Sequence, residues 1–267
     1  MASPFKGILY PARLPTFHRL PAPATVKDLV QWFWIPEWDI EPGRSSRQQL
    51  IAFPASNLVV QPDVIELSGP TTRVSHQDLT GRGWAVGALL RPAAVPAFTA
   101  DPASLRDSRV LLPLTDLHGV VAAMGGAMDD PDPARRRQAA VDAFAAWLIA
   151  RIPDVSPEGL LANAMVDTID SCREVARIED AALRLAVSPR TLQRLATKYV
   201  GLSPSTLIRR RRLQDAADRV RTDPGADLAR IAAELGYADQ AHLANDFQKF
   251  LGFTPSSYRR WSGQGQQ

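Results

Sequence analysis

A single cysteine, Cys172, stands in the 267 residues. No intrachain disulfide can form, and this residue is expected to pack as a small apolar side chain in the first helix of the C-terminal half. No apolar run approaches the roughly eighteen residues of a membrane span, and nothing after Met1 has the charged-then-apolar form of a signal peptide. The chain therefore reads as cytoplasmic, with no membrane partner. Histidines are few, and His18, His76 and His118 are too scattered for a metal-ligand spacing, so no metal and no cofactor are expected. A glycine-rich phosphate loop and a nucleophile elbow are both missing. Cys172 lacks a neighbouring histidine to hold a thiolate. No catalytic residue emerges, and the chain is not read as an enzyme.

What is present divides unevenly. The first 113 residues hold 14 of the 22 prolines, with short apolar runs and frequent turn signals, which favours short strands over helices. Strands are expected near 29–35, 49–53, 58–60, 64–67, 73–76, 84–90 and 110–112, as a small β-sandwich or barrel over residues 1–113. Residues 114–152 read as a helical connector or dimerisation segment. Asp130-Pro-Asp-Pro133 caps it, and Val141, Phe144, Ala145, Leu148 and Ile152 recur at helical spacing. That stripe can dock on its own domain or pair with a second copy, giving a homodimer. Ile152-Pro-Asp-Val-Ser-Pro157 contains a linker at 153–157, and residues 262–267 read as a disordered tail.

The last hundred residues carry one pattern twice. Ala182-x3-Ala186-Val187-Ser188, then Leu192, Gly201 and Pro204, is repeated as Ala232-x3-Gly236-Tyr237-Ala238, then Leu243, Gly252 and Pro255. The offset is 50 before the turn and 51 after it, so the second turn holds one extra residue, and the period marks duplicated helix-turn-helix units. Serine, threonine or aspartate followed by proline at Ser156, Ser188, Ser203, Asp223 and Thr254 gives N-caps. Asp239 can cap without a proline. Seven helices follow, near 157–173, 177–186, 189–199, 204–222, 227–235, 239–251 and 255–261. In the helix after the first turn Leu192, Leu195 and Tyr199 point inward. After the second, Leu243, Phe247 and Phe250 do, leaving Asp246 outside with the other polar residues.

These residues carry a family resemblance. Ser188-Pro-Arg-Thr-Leu-Gln-Arg-Leu with Gly201-Leu-Ser-Pro204, the Arg212-Leu213-x2-Ala216 element, and Ile231-Ala-x2-Leu-Gly-Tyr237 through Phe247-x4-Gly252-Phe-Thr-Pro255-x2-Tyr258-Arg259 together resemble the AraC/XylS-type transcription regulators. The resemblance covers about residues 158–261. It implies an α+β multidomain chain: an all-α double helix-turn-helix DNA-binding domain behind a mainly-β, cupin-like sensing domain. Trp84-Ala-Val-Gly-Ala-Leu-Leu-Arg-Pro92 resembles one poorly characterised subgroup of such N-terminal domains.

The partner implied is double-stranded DNA, read as a bipartite site. Arg190, Thr191, Gln193, Arg194, Thr197 and Lys198 would act on the first recognition helix, and Gln240, Ala241, His242, Asn245 and Lys249 on the second. A helix over 204–222 spans roughly 27 Å, against about 34 Å between successive major-groove faces. Ala196 stands where the family has a bulky aromatic, so the first unit is expected to pack more loosely. Asn245 stands where arginine is frequent, and asparagine suits adenine where arginine suits guanine.

Charge follows the same division. Residues 173–260 hold 16 lysines and arginines against 10 acids, a net of +6, while residues 1–172 carry a net of −3. Phosphates would attract the basic half, with a steep salt dependence. In Arg209-Arg210-Arg211-Arg212, Arg212 resembles a structural pairing residue of the family, and the others are expected to be solvated or phosphate-facing.

A small-molecule effector would need a mostly apolar cleft, for which Trp32, Trp34, Trp38 and Trp84 are candidates, with a plain core as the other reading. Two alternatives to an effector-controlled regulator stand. One is a ligand-independent regulator whose N-terminal domain only oligomerises or contacts RNA polymerase. The other is an enzyme, such as an alkyl-transfer repair protein, tethered to a DNA-binding module.

Overall fold

Alternation in one strand organises the N-terminal half. Along Val30–Asp39 (β2), Phe33, Ile35 and Glu37 are buried while Trp32, Trp34 and Trp38 turn to the other face, as the two-residue period of a strand requires. The computed structural model describes residues 16–50, 53–113, 115–125, 132–223 and 225–264. Around β2 it sets Thr16–Pro21 (β1), Asn57–Val60 (β4), Ile65–Ser68 (β5), Arg82–Trp84 (β7), Val86–Leu90 (β8) and Arg109–Leu111 (β9). These form a seven-stranded sheet in the order β1-β2-β8-β4-β5-β9, with β7 also on β2 and every pair antiparallel. Ser45–Leu50 (β3) and Ser75–Thr80 (β6) form a separate two-stranded ribbon.

Six expected strands appear with shifted ends, while β1 and most of β3 were not foreseen. The strand expected at 49–53 lies partly on residues 51–52, outside the described residues. β1 escapes an apolar-alternation reading because His18 and Arg19 sit inside it.

One face of the sheet carries Phe33, Ile35, Leu58, Val60, Leu67, Val86, Ala88 and Leu90, all buried. They pack with Val120 and Met124 of His118–Gly125 (α1) and with Val141, Phe144, Ala145 and Leu148 of Pro133–Arg151 (α2). The stripe in residues 114–152 is thus spent on the sheet of its own chain and is closed to a second copy. Asp132 caps α2 by accepting from the Arg135 N–H at 3.0 Å. Asp130 and Pro131 lie outside the described residues.

One polar group crosses this interface. Glu37, buried on β2, is paired by Arg136 and by Arg137 Nε at 2.8 Å, with His18 Nε2 at 3.7 Å. Burial first, and then the Arg137 charge, push the His18 imidazole below its usual pKa.

The C-terminal half is helical: Pro157–Ser171 (α3), Ile178–Arg184 (α4), Pro189–Tyr199 (α5), Pro204–Thr222 (α6), Leu228–Glu234 (α7), Gln240–Leu251 (α8) and Pro255–Gln264 (α9). Ser156, Ser188, Ser203 and Thr254 each accept from the backbone N–H three residues on, at 3.1–3.2 Å, with proline in the first turn where its missing donor is harmless. Asp223 is a correction. It closes α6 and accepts from Gly225 N at 3.1 Å, while Asp227 caps α7. Pro224 lies outside the described residues. α9 runs to Gln264, into the stretch expected to be a tail, and residues 265–267 lie outside the described residues.

Two cores result. One joins Met165, Ile169, Leu192, Leu195, Ala196, Leu207 and Ile208, and the other Leu213, Val220, Ile231, Leu243, Phe247, Phe250 and Tyr258. α6 serves both, its first turns facing one and its last turns the other.

Removing one member of a buried ion pair strands its partner, so Glu37→Ala should cost about 3–5 kcal/mol, measured by urea unfolding of the full chain. A loss below about 1 kcal/mol would mean that the apolar stripe alone holds α2 on the sheet.

Candidate nucleic-acid interface

Each unit is built around one left-handed residue. Ala186 takes φ +53° and Gly236, fifty positions on, φ +73°. Behind each, the chain closes by the same bond: Val187 N donates to Ala182 O at 3.0 Å and Tyr237 N to Ala232 O at 2.9 Å, the six-residue closure of a helix C-terminus. Ala182 and Ala232 are buried. The turn between α4 and α5 uses residues 185–188 and that between α7 and α8 residues 235–239, the one-residue difference expected from the spacing. The helices that follow also end alike, at Gly201 (φ +77°) and Gly252 (φ +79°).

On α5, Leu192, Leu195, Ala196 and Tyr199 are buried. Arg190, Gln193, Arg194, Thr197 and Lys198 are exposed and Thr191 is half-buried. Ala196, expected to loosen this unit, is fully enclosed in its core. On α8, Leu243, Phe247 and Phe250 are buried and Gln240, Ala241, His242, Asn245 and Lys249 exposed. The His242 ring stands edge-on to Tyr237 at 5.3 Å.

Asp246, expected outside, is only 1% exposed and receives both arms of Arg209, Nε at 2.6 Å. It lies on the side of α8 that faces α6, and a two-pronged charge-assisted bond offsets the cost of burying it. Burial, and then the Asp246 charge, raise the Tyr237 hydroxyl well above its usual pKa.

Within the arginine run, Arg210 and Arg211 correct the expectation, while Arg209 stays exposed. Arg209 is engaged by Asp246. Arg210 is buried, its guanidinium 5.5 Å from the Phe250 ring, and burial lowers its pKa to about 10, which leaves it charged at neutral pH. Arg211 is buried and donates to the carbonyls of Cys172 (2.6 Å) and Val175 (2.8 Å) beyond α3. Arg212 donates to Ala176 O at 2.6 Å in the first unit and Gly236 O at 3.3 Å in the second. Consecutive helical residues point about 100° apart, so the four cations in a row reach both units at once. Arg212 fits the pairing role that the resemblance implied.

The N-terminal domain grips the first unit. Buried Asn163 of α3 donates to Asp28 O at 2.9 Å and accepts from Ala93 N at 3.0 Å, and Arg91 pairs with Asp167. Arg106 donates to Gly201 O at 3.1 Å, and a Cβ on Gly201 would meet the Pro102 carbonyl at 2.6 Å. Ala100 and Asp101 face the exposed side of α5 across an open cleft lined by Arg190, Gln193, Arg194 and Lys198. At the near end of α3, Glu158 accepts from Arg194, Lys198 and the Tyr199 hydroxyl. Those three donors, Lys198 foremost, lower its carboxyl pKa to about 2. Sequence reasoning missed Glu158, because nothing in a linear reading brings residue 158 beside residues 194–199.

The four tryptophans do not share one lining. Trp84 lies on the core face. Trp32, Trp34 and Trp38 lie on the opposite face, where Arg19 stacks on Trp32 at 3.5 Å, Trp34 Nε1 donates to Asn57 Oδ1 and Trp38 Nε1 donates to Thr80 O. A hollow of about 290 Å³ between Ala97, Phe98, Leu112, Pro113, Asp116 and Arg151 includes none of them.

A family profile described as a helix-turn-helix domain matches residues 181–260, and an AraC-like regulator of Streptomyces lividans is 35% identical over 105 residues, 38% of this chain and 34% of that protein. The C-terminal part of the chain belongs to the AraC-type helix-turn-helix family. The regulator VirS of Mycobacterium tuberculosis is 42% identical over 86 residues, 32% of this chain and 24% of VirS. The chain thus spans about a quarter to a third of these relatives. A second profile, of a domain of unknown function, matches residues 18–111. ToxT of Vibrio cholerae aligns over 92% of this chain and 96% of its own at 13% identity, with a TM-score of 0.41.

The paired turns give a direct exchange. Ala186→Gly should stabilise the chain by about 1 kcal/mol and Gly236→Ala should destabilise it by about 1–2 kcal/mol, both read from urea midpoints. Destabilisation by Ala186→Gly would show that residue 186 leaves the left-handed region in solution.

Proposed function

We propose that this protein is a sequence-specific DNA-binding transcription regulator that reads a bipartite site with α5 and α8. The observation that carries the reading is the paired construction. Two turns of the same hand and bonding present two helices, each apolar inside and polar outside, on one shared helix α6. Residues at the start of a recognition helix meet base edges when it enters the major groove, which sets Arg190, Thr191 and Gln193 at one half-site, with Arg194, Thr197 and Lys198 further along the same exposed side of α5. Gln240, Ala241, His242, Asn245 and Lys249 take the other. The net charge of +6 over residues 173–260 supplies the salt-sensitive part of the affinity.

The domain division follows the same reading: residues up to 152 receive a signal and residues 158–261 read DNA. A small-molecule effector in the β domain rests on the family resemblance alone. The bonds at Asn163, Asp167 and Gly201 give that domain its purchase on the first unit.

Selection of bound duplexes from a random pool tests the reading with the full chain. The wild type should enrich two half-sites, and Asn245→Arg should move one position of the second from adenine towards guanine, a change of about 1–3 kcal/mol in discrimination. Arg190→Ala should cost about 1–3 kcal/mol at the first half-site only. Enrichment of no sequence by the wild type would sink the proposal, and equal losses on selected and random duplexes would reduce Arg190 to a phosphate contact.

A further inference from the structure

Glu158 sits in the first turn of α3 and meets α5 through both of its oxygens. Arg194 donates to Oε1, and Lys198 Nζ and the Tyr199 hydroxyl to Oε2, the hydroxyl at 2.9 Å. Arg194 and Lys198 are one helical turn apart and so share a stripe. Their side chains remain 57% and 49% exposed, on the open cleft that Ala100 and Asp101 line from the other side. A carboxylate engaged in this way offers what a DNA phosphodiester offers: one negative charge over two acceptor oxygens.

Among the described residues, the second unit has no such arrangement. Fifty-one positions on, Arg194 becomes Asn245, Tyr199 becomes Phe250 without a hydroxyl, and Lys198 becomes Lys249, whose ammonium stands 5.5 Å from the Phe250 ring. The device belongs to the first unit alone, on the helix that Asn163 stitches to the N-terminal domain.

We propose that Glu158 is a specificity-determining residue of the first reading helix, an internal substitute for a DNA phosphate that occupies Arg194 and Lys198 until a duplex displaces it. This rests on the reading of α5 as a recognition helix. Affinity for random sequence comes almost wholly from neutralised phosphates, so cations already engaged by a carboxylate add little to it. The exchange of one anion for another becomes favourable where Arg190, Gln193 and Thr197 also find their bases. Glu158 thus lowers binding to the wrong duplex more than to the right one, which is how discrimination is gained without a new base contact.

Fluorescence anisotropy of the full chain, with a selected duplex and a random-sequence duplex over a salt series, tests this. Glu158→Gln keeps the size and removes the charge. It should tighten random-duplex binding about tenfold and steepen its salt dependence by about two counterions, with a smaller gain on the selected duplex. In an Arg194→Ala/Lys198→Ala background the same change should do nothing, because the released cations are absent. An unaltered random-duplex affinity and salt slope, or a gain that persists in that background as a plain net-charge effect, would overturn the proposal. Failure of the wild type to bind either duplex would overturn the recognition role of α5 instead.

Discussion

Four guanidinium groups on consecutive residues of α6 hold the helical half together. A helix turns about 100° per residue, so Arg209, Arg210, Arg211 and Arg212 radiate around the axis and each finds a different wall. One takes the Asp246 carboxylate, one lies against Phe250, one closes the carbonyls at 172 and 175, and one spans Ala176 and Gly236. The relative placement of α5 and α8 depends on this hub, because the two cores on either side of it are otherwise separate clusters. Carbonyl acceptors suit the purpose. They satisfy buried cations without adding acids that would repel phosphate nearby.

The duplication was legible because backbone demands repeat with it. Gly201 and Gly252, and the proline-led helix starts at Pro204 and Pro255, mark places where only certain residues fit, and a one-residue slip in spacing could be read off directly. Ala186 shows the limit of such reading. It holds the left-handed turn that Gly236 holds in the second copy, and nothing in its identity announces the strain.

The remainder was hidden for a common reason, which is that it depends on partners distant in sequence. Arg210 and Arg211 looked solvated until Phe250 of α8 and the carbonyls at 172 and 175 enclosed them. Asp246 looked exposed because helical periodicity was drawn against one neighbour, whereas α8 has two. Glu158 gave no sign at all. In the β domain, short apolar runs between turn signals located β2, β4, β5 and β8, the last of them buried along its whole length. That signal failed for β1, where His18 turns towards buried Glu37 and Arg19 covers Trp32. The tryptophans were grouped by kind in the sequence, and strand parity separates Trp84 from the other three.

The contacts described between the β domain and the helical half fall on α3 and on the end of α5. The first unit is therefore welded to the body, and the second is carried beyond it on α6 like a load on a cantilever. When two half-sites are not ideally phased, or the duplex must curve to meet both, the accommodation falls on the free arm. On the proposed function, an operator's tolerance for errors in spacing is then set by α6 together with the Arg212 bonds to Ala176 and Gly236, and the half-site under α5 serves as the fixed point from which the other is sought.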